Sequence, residues 1–301
     1  MPGSEDQIMK DMILFKRLWG NAKKLDGGTQ IEKVIEYALS TQGGAYSALE
    51  TLDTAQETTR CRVYWPWKQY HQPIVVSNID VAKNGGESAV FKLVAADTAS
   101  AMNAFKDRFA DDLYTAQSGK KIHSLVDMTD DATNVDTYAD VSRGSYSWWK
   151  GQYNGTGGAL SLSMLATQYD LCQSGNDKPT LLATTNTIWS AYEGLLQPQV
   201  RYNFNTQGYP KIDGGFTALY YRDTPMVTDE KCTSGYLYFL NEKYIDLVYM
   251  SHPDFPTDKM GFAVSPMRVP TDQDGKIAYI FSYLNLICTK PKRQGVIRSV
   301  S

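Results

Sequence analysis

What the sequence has little of narrows its function first. Its four cysteines, Cys61, Cys172, Cys232 and Cys288, lie far apart with no CxxC pair, which fits neither a disulfide framework nor a zinc ribbon and points to a reducing compartment. Histidine is scarce as well. His71, His123 and His252 form no HxH or HxxxH pair, so no metal site is expected and no cofactor is implied. No apolar run approaches the roughly 18 residues a membrane span needs. The start of the chain, with Pro2, Ser4, Glu5 and Asp6, lacks the basic and apolar regions of a secretion signal, so neither secretion by that route nor a membrane partner is expected. The net charge is only −3, with Lys and Arg spread along the chain, which excludes a sequence-wide grip on nucleic acid.

Catalytic signatures are also missing. No GxSxG elbow supports a serine nucleophile, and Asn154-Gly155-Thr156-Gly157-Gly158 lacks the Lys and Ser/Thr that complete a P-loop. The acidic stretch Asp127, Asp130, Asp131, Asn134, Asp136 and Asp140 lacks the Gly and closing Glu of a calcium loop and reads as a solvated loop. Catalytic residues are therefore expected to be none, and the chain is not read as an enzyme.

What is abundant is aromatic surface. The 301 residues include 20 Tyr and 6 Trp, residues that supply large contact area at little side-chain entropy. An amphipathic stretch with Ile8, Met12, Phe15 and Trp19 at helical spacing opens the chain and reads as an arm over 1–28. Residues 29–39 and 68–77 read as strands, and the mostly polar 40–67 between them, ending in Trp65-Pro66-Trp67, reads as the loop of a long hairpin. So long a loop suits an assembly, where a neighbouring subunit supplies the packing it lacks.

After Asn84-Gly85-Gly86-Glu87, spaced as a capping box, comes a helix of about 27 residues and 40 Å. Phe91, Val94, Thr98, Met102, Phe105, Phe109 and Leu113 lay one apolar stripe along it, and Phe91, Met102, Phe105 and Phe109 are its expected packing residues. The strand-like 277–288 is the expected cover for that stripe. Residues 118–160 read as irregular or short-stranded. Helices at 161–173 and 186–196 then alternate with a strand at 180–184, and strands follow at 216–221, 225–228, 235–240 and 244–250. No internal repeat is present.

Several long segments together carry a family likeness. LWGNAKKLDGGTQIE (18–32), TLDTAQE (51–57), WKQYHQPIVVS (67–77) and AKNGGE (82–87) resemble the N-terminal half of tailed-bacteriophage major capsid proteins of the Hong Kong 97-type fold. TTNTIWSAYEGLLQPQVRY (184–202), GYLYFLNEKYIDLVYM (235–250) and residues 265–297 resemble the later segments in the same order. The resemblance covers about four-fifths of the chain and is weakest over 118–160.

It implies an α+β fold divided as an N-terminal arm (1–28), an E-loop with flanking strands (29–79), a peripheral domain with a spine helix (80–125), an axial domain (126–264) and a return to the peripheral domain with a C-terminal tail (265–301). It implies self-assembly as hexamers and pentamers into an icosahedral shell around double-stranded DNA. The chain would then be a virion protein, assembled in the bacterial cytoplasm, with scaffold, portal and decoration proteins as further partners. With little sequence before the arm, a fused scaffolding domain is not expected. No Lys, Asn and Glu are identified for the isopeptide cross-link of some members. Trp65, Trp67, Tyr70 and His71 are the expected intersubunit contacts. The basic ending Lys290, Lys292, Arg293 and Arg298 is read as a solvated tail or a salt-bridge partner, with at most weak, non-specific contact to DNA. An encapsulin-type shell and, from another class, a soluble carbohydrate-binding module are the alternatives.

Overall fold

The computed structural model describes residues 12–52, 54–83, 87–196, 219–259, 261–271 and 274–301, with the side chains of 81, 83 and 87–95 left aside. In chain order the elements are α1 (Ile13–Gly20), β1 (Lys23–Lys24), β2 (Gln30–Glu36), β3 (Arg60–Pro66), β4 (Lys68–Ser77), α2 (Asn78–Lys83) and α3 (Glu87–Tyr114). There follow α4 (Leu125–Thr129), β5 (Thr137–Tyr138), β6 (Val141–Ser142), β7 (Gln152–Asn154), α5 (Leu162–Cys172), β8 (Leu181–Thr184) and α6 (Asn186–Leu196). The chain closes with β9 (Leu219–Tyr221), β10 (Thr224–Thr228), β11 (Leu237–Leu240), β12 (Ile245–Met250), β13 (Ala263–Val264), β14 (Gly275–Cys288) and β15 (Gly295–Ile297).

A five-stranded sheet is organised around β14, which pairs antiparallel with β4, β12 and β13, while β1 adds parallel to β12. In β4 the even positions Tyr70, Ile74 and Val76 turn inward, and in β14 Ala278, Ile280, Ser282 and Leu284 do the same, as period-two geometry requires. The long helix α3 lies on that inward face. Phe105 and Phe109 are buried, and the Tyr70 ring sits 6.0 and 5.9 Å from theirs. Met102 is partly buried against the same core. The strand in direct contact with the helix is thus β4, with β14 beside it in the sheet. The Phe91 side chain and the Asn84 cap lie outside the described residues.

The opening segment is no free limb over its described part. Met12, Phe15, Leu18 and Trp19 are all buried. Trp19 packs edge-on against Phe109 at 4.7 Å and stacks on Phe262 at 5.0 Å. Arg17 clamps Glu242 through two hydrogen bonds of 2.7 Å. The apolar stripe that suggested an arm finds its partner on α3 of its own chain.

A six-stranded sheet, β7-β15-β11-β8-β10-β9, forms the second layer and carries α5 and α6. The end of the chain is one of its strands. Gly295, Val296 and Ile297 are buried between β7 and β11, because three apolar residues can pair on both edges, so this stretch is no tail. β12 and β13, which lie within 126–264, belong to the five-stranded sheet instead.

Phe109 touches both α1 and β4. Truncating it leaves a cavity that three elements border, so Phe109→Ala is expected to lower stability by about 3–5 kcal/mol, read as an earlier urea-unfolding midpoint with unchanged steepness.

Candidate intersubunit surfaces

The hairpin differs in one respect from its sequence reading. β2 pairs antiparallel with β3, from Gln30↔Pro66 to Glu36↔Arg60, and β4 pairs with β14. Trp65-Pro66 therefore ends the returning strand, and the loop shortens to 37–59. The inner side of the ribbon is fixed by Ile31, Val63 and Trp65, all buried. Its outer side carries the pairs Arg62–Glu32 at 3.2 Å and Arg60–Glu36 at 3.7 Å, exposed cross-strand contacts of modest worth.

Beyond the ribbon the chain leaves its own subunit uncovered. Leu39 is 84% and Tyr46 70% exposed, and Leu49 and Leu52 are exposed as well. One local lock holds the loop: the Glu57 carboxylate accepts from the Thr41 N–H at 2.8 Å and from the Thr41 hydroxyl. Those bonds hold its pKa below the ordinary carboxylate value. At the loop's root Tyr37 stacks on Trp148 at 5.0 Å. Four large apolar side chains in water on one projection form a patch that a monomer has no use for.

The second uncovered surface is the outward face of the five-stranded sheet. There the odd positions come together: His71 opposite Phe281, Pro73 opposite Tyr279 and Val75 opposite Ile277. His252 stacks between Phe255 at 4.6 Å and the rings of Phe281 and Tyr283 at 5.2 and 5.3 Å. Two shallow grooves of about 540 and 570 Å³ run along this face, and Phe281 and Tyr283 line both. Sequence reading singled out His71 and Trp67 here; the signal for the others was β14 itself, apolar at odd and even positions alike.

The expected contact residues divide accordingly. His71 is exposed on the open face, and Trp67, half-buried beside it, donates its indole N–H to the Gly28 carbonyl at 2.9 Å. Trp65 presents no surface to a neighbour, and Tyr70 is partly buried. Trp65 is 0% exposed against Tyr138 and Trp149. Tyr70 faces α3, donates to Asp112 at 2.8 Å and accepts from the Ile122 N–H at 3.1 Å, and its burial pushes its hydroxyl pKa well up. The burial of Trp65 is a consequence of strand pleat that a loop reading of 40–67 could not supply.

The basic ending is engaged inside its own chain. Lys290 pairs with Asp177 at 3.2 Å, Arg293 stands 4.0 Å from the same carboxylate, and Arg298 lies between the rings of Tyr153 and Tyr236 at 4.7 and 5.0 Å. Lys292 alone of the four is exposed. Among the described residues no group of three His, Cys, Asp or Glu is placed to hold a metal ion, and no helix is long and apolar enough to cross a membrane.

A spine helix laid on a sheet, a second sheet with its own helices and a projecting hairpin define a class: the Hong Kong 97-type capsid fold, as the resemblance implied. The chain is similar over 98% of its length to a chain of the cyanophage A-1(L) capsid asymmetric unit, covering 94% of it at a TM-score of 0.71 and 16% identity. It is similar over 98% to a chain of the capsid of the empty GTA particle, covering 92% of it at 0.62 and 9%. It is similar over its whole length, 100%, to a chain of the holo-SrpI encapsulin complex from Synechococcus elongatus, covering 91% of it at 0.62 and 12%. By sequence, no protein-family model and no curated protein matches the chain.

Burial makes the thiols report on this packing. Cys172 and Cys288 are buried and their pKa values pushed up to about 12, and burial raises Cys232 likewise, whereas Cys61 is half-buried on the hairpin. A thiolate-directed reagent at pH 8 is expected to label one thiol rapidly in the native chain and four after denaturation, counted by intact mass.

Proposed function

We propose that the chain is the major capsid protein of a tailed bacteriophage, assembling as hexamers and pentamers into the icosahedral head that encloses the double-stranded DNA genome. The observation that carries this reading is a likeness to a cyanophage capsid chain across nearly the full length of both, joined to a hairpin whose exposed Leu39, Tyr46, Leu49 and Leu52 have nothing to pack on at home. The working parts are surfaces, and no catalytic role is assigned. The five-stranded sheet with α3 serves as the peripheral domain, the six-stranded sheet as the axial domain, and the 37–59 loop as the limb that reaches a neighbour. Trp67 and His71 on the open sheet face are the contact residues retained from sequence. Many weak contacts of this kind, repeated around a closed shell, give strong collective stability.

On this reading the protein is part of the virion and assembles in the host cytoplasm, with scaffold, portal and decoration proteins as further partners. Contact with packaged DNA is weak and non-specific, since most of the basic ending is already paired. The likeness to an encapsulin complex supports a second reading, a shell that encloses protein cargo. The two separate on the contents of purified particles: nuclease-protected DNA for the first, a co-purifying protein for the second. The exposed aromatics are the one feature a carbohydrate-binding module would share, and such a module would stay small in solution.

Replacing residues 41–57 by a short Gly-Asn turn removes the limb while keeping β2, β3 and the Trp65 anchor. That variant is expected to unfold cooperatively like the parent yet give no particles by sedimentation or negative-stain imaging. Intact particles from it would remove the loop from assembly.

A further inference from the structure

Where the hairpin base meets the rest of the molecule there is a buried histidine that none of the shell surfaces uses. His123 is 7% exposed, and among the described residues no group pairs with either ring nitrogen. Its ring stands edge-on to Tyr138, centroids 5.2 Å apart.

The same few residues tie three parts of the chain together. The His123 N–H donates to the Asn285 side-chain carbonyl of β14 at 3.0 Å, and the Asn285 amide donates to the Pro66 carbonyl at the end of β3 at 2.8 Å. The Tyr138 hydroxyl accepts from the Cys288 N–H at 3.0 Å, and the Tyr64 N–H of β3 donates to the Ala139 carbonyl at 3.2 Å. Loosening His123 would therefore loosen the root of the hairpin.

The charges around it are unbalanced. Arg143, fully buried, lies 4.9 Å over the Tyr138 ring and is held by the Trp149 and Val135 carbonyls, with no carboxylate among the described residues in hydrogen-bonding reach. Lys68 of β4 donates to the Gly119 carbonyl at 2.6 Å. From α4, Asp127 faces both cations, but its carboxylate is engaged by the Ser124 N–H at 2.8 Å and hydroxyl at 2.9 Å, and burial raises its pKa. Asp130 is committed to the backbone of Ala132, Asn134 and Val135 and to the Asn134 amide. Cys288 and Tyr138 are neutral neighbours, their pKa values raised by burial.

We propose that His123 is an acid-sensitive latch for the hairpin: protonating its ring sets a third cation beside Lys68 and Arg143 inside the seam and loosens the hold of Pro66 and β3 on the sheet. Burial first, then repulsion from Lys68 and Arg143, lowers its pKa from 6.5 to about 4. The folded state thus favours the neutral ring. Stability from this group is intact above about pH 6.5, falls as the pH drops from there, and levels off near pH 4. Asp127, with its pKa raised, carries the opposite sign, since its protonation favours the folded state.

The proposal concerns the subunit and holds whether or not the chain forms a shell. Urea unfolding of the purified full-length chain between pH 7 and pH 4 tests it, alongside His123→Phe and Lys68→Met, with hydrogen exchange of the 61–65 amides under native conditions. Over that range the unfolding equilibrium of the parent is expected to rise on the order of a hundredfold more than that of His123→Phe, and the 61–65 amides of the parent to lose protection in acid. Lys68→Met, with one repelling charge gone, is expected to show a shallower fall than the parent. Should His123→Phe fail to fold, the Lys68→Met comparison and the exchange data decide. An unchanged pH slope in the variants, or 61–65 amides as protected at pH 4.5 as at pH 7, overturns the latch.

Discussion

The pairing of β4 with β14 is the constraint on which the rest of the molecule depends. Ten residue pairs, from Gly275↔Ser77 to Leu284↔Lys68, join segments about two hundred positions apart. Closing so long a loop costs conformational entropy, but only logarithmically in its length, and the return is a surface with two uses. Its inward face gives α3 and α1 something to cover, so Phe105, Phe109, Trp19 and Phe262 meet in one aromatic core. Its far end, at Asn285 and Cys288, receives the hairpin root and the irregular 118–160 region. Without this pairing the spine helix would have no sheet and the hairpin no base.

Much of this was legible in sequence because it is periodic. The stripe through Met102, Phe105 and Phe109 announced α3, and the apolar run 277–288 announced β14. The boundaries of β4 and of the α5, β8 and α6 succession follow pattern and punctuation closely. What was not legible is what pleat and pairing decide. The tripeptide Trp65-Pro66-Trp67 looks like loop because proline cannot donate to a ladder, yet Pro66 sits at the last position of β3, where no donor is required. Two tight turns carry no sequence signal for a related reason. The turns at Ala139-Asp140 and Arg222-Asp223 hold both central residues at positive φ, a geometry normally signalled by Asn-Gly or Gly-Gly. Here the flanking strands impose it on side chains that resist it. The arm misled in the opposite direction: its amphipathic stripe was correctly seen, but amphipathicity does not say whether the partner is another subunit or Phe109 of the same one.

The distribution of apolar surface separates what folds the subunit from what is left for others. The core consumes Trp19, Trp65 and Trp149 completely, each worth several kcal/mol in removed surface. Against that thoroughness, Leu39, Tyr46, Leu49 and Leu52 stand exposed on a limb whose root is held by Tyr37 on Trp148. Exposure of that kind is a solubility cost that a monomer would shed, and it is retained where a second surface covers it. The open face around Tyr279 and Phe281 is more exposed than the opposite one, where Ala278, Ile280, Ser282 and Leu284 are buried.

The limb transmits force only as well as its root is held, and the root is polar where an apolar joint would be simpler. Among the described residues Arg143 and His123 have no carboxylate partner, and such buried groups rarely add net stability over well-packed hydrophobes. What they do add is geometry. Arg143 donates to the carbonyls of Val135 and Trp149, and Asn285 satisfies both the His123 amide and the Pro66 carbonyl, so a slipped register of β3 would strand several polar groups at once. A hydrophobic joint tolerates sliding; this one is confined to a single seating as long as the imidazole is neutral. The same low dielectric that makes the seam specific makes an added charge there expensive, so the stiffness of the hairpin and its vulnerability to acid have one physical origin.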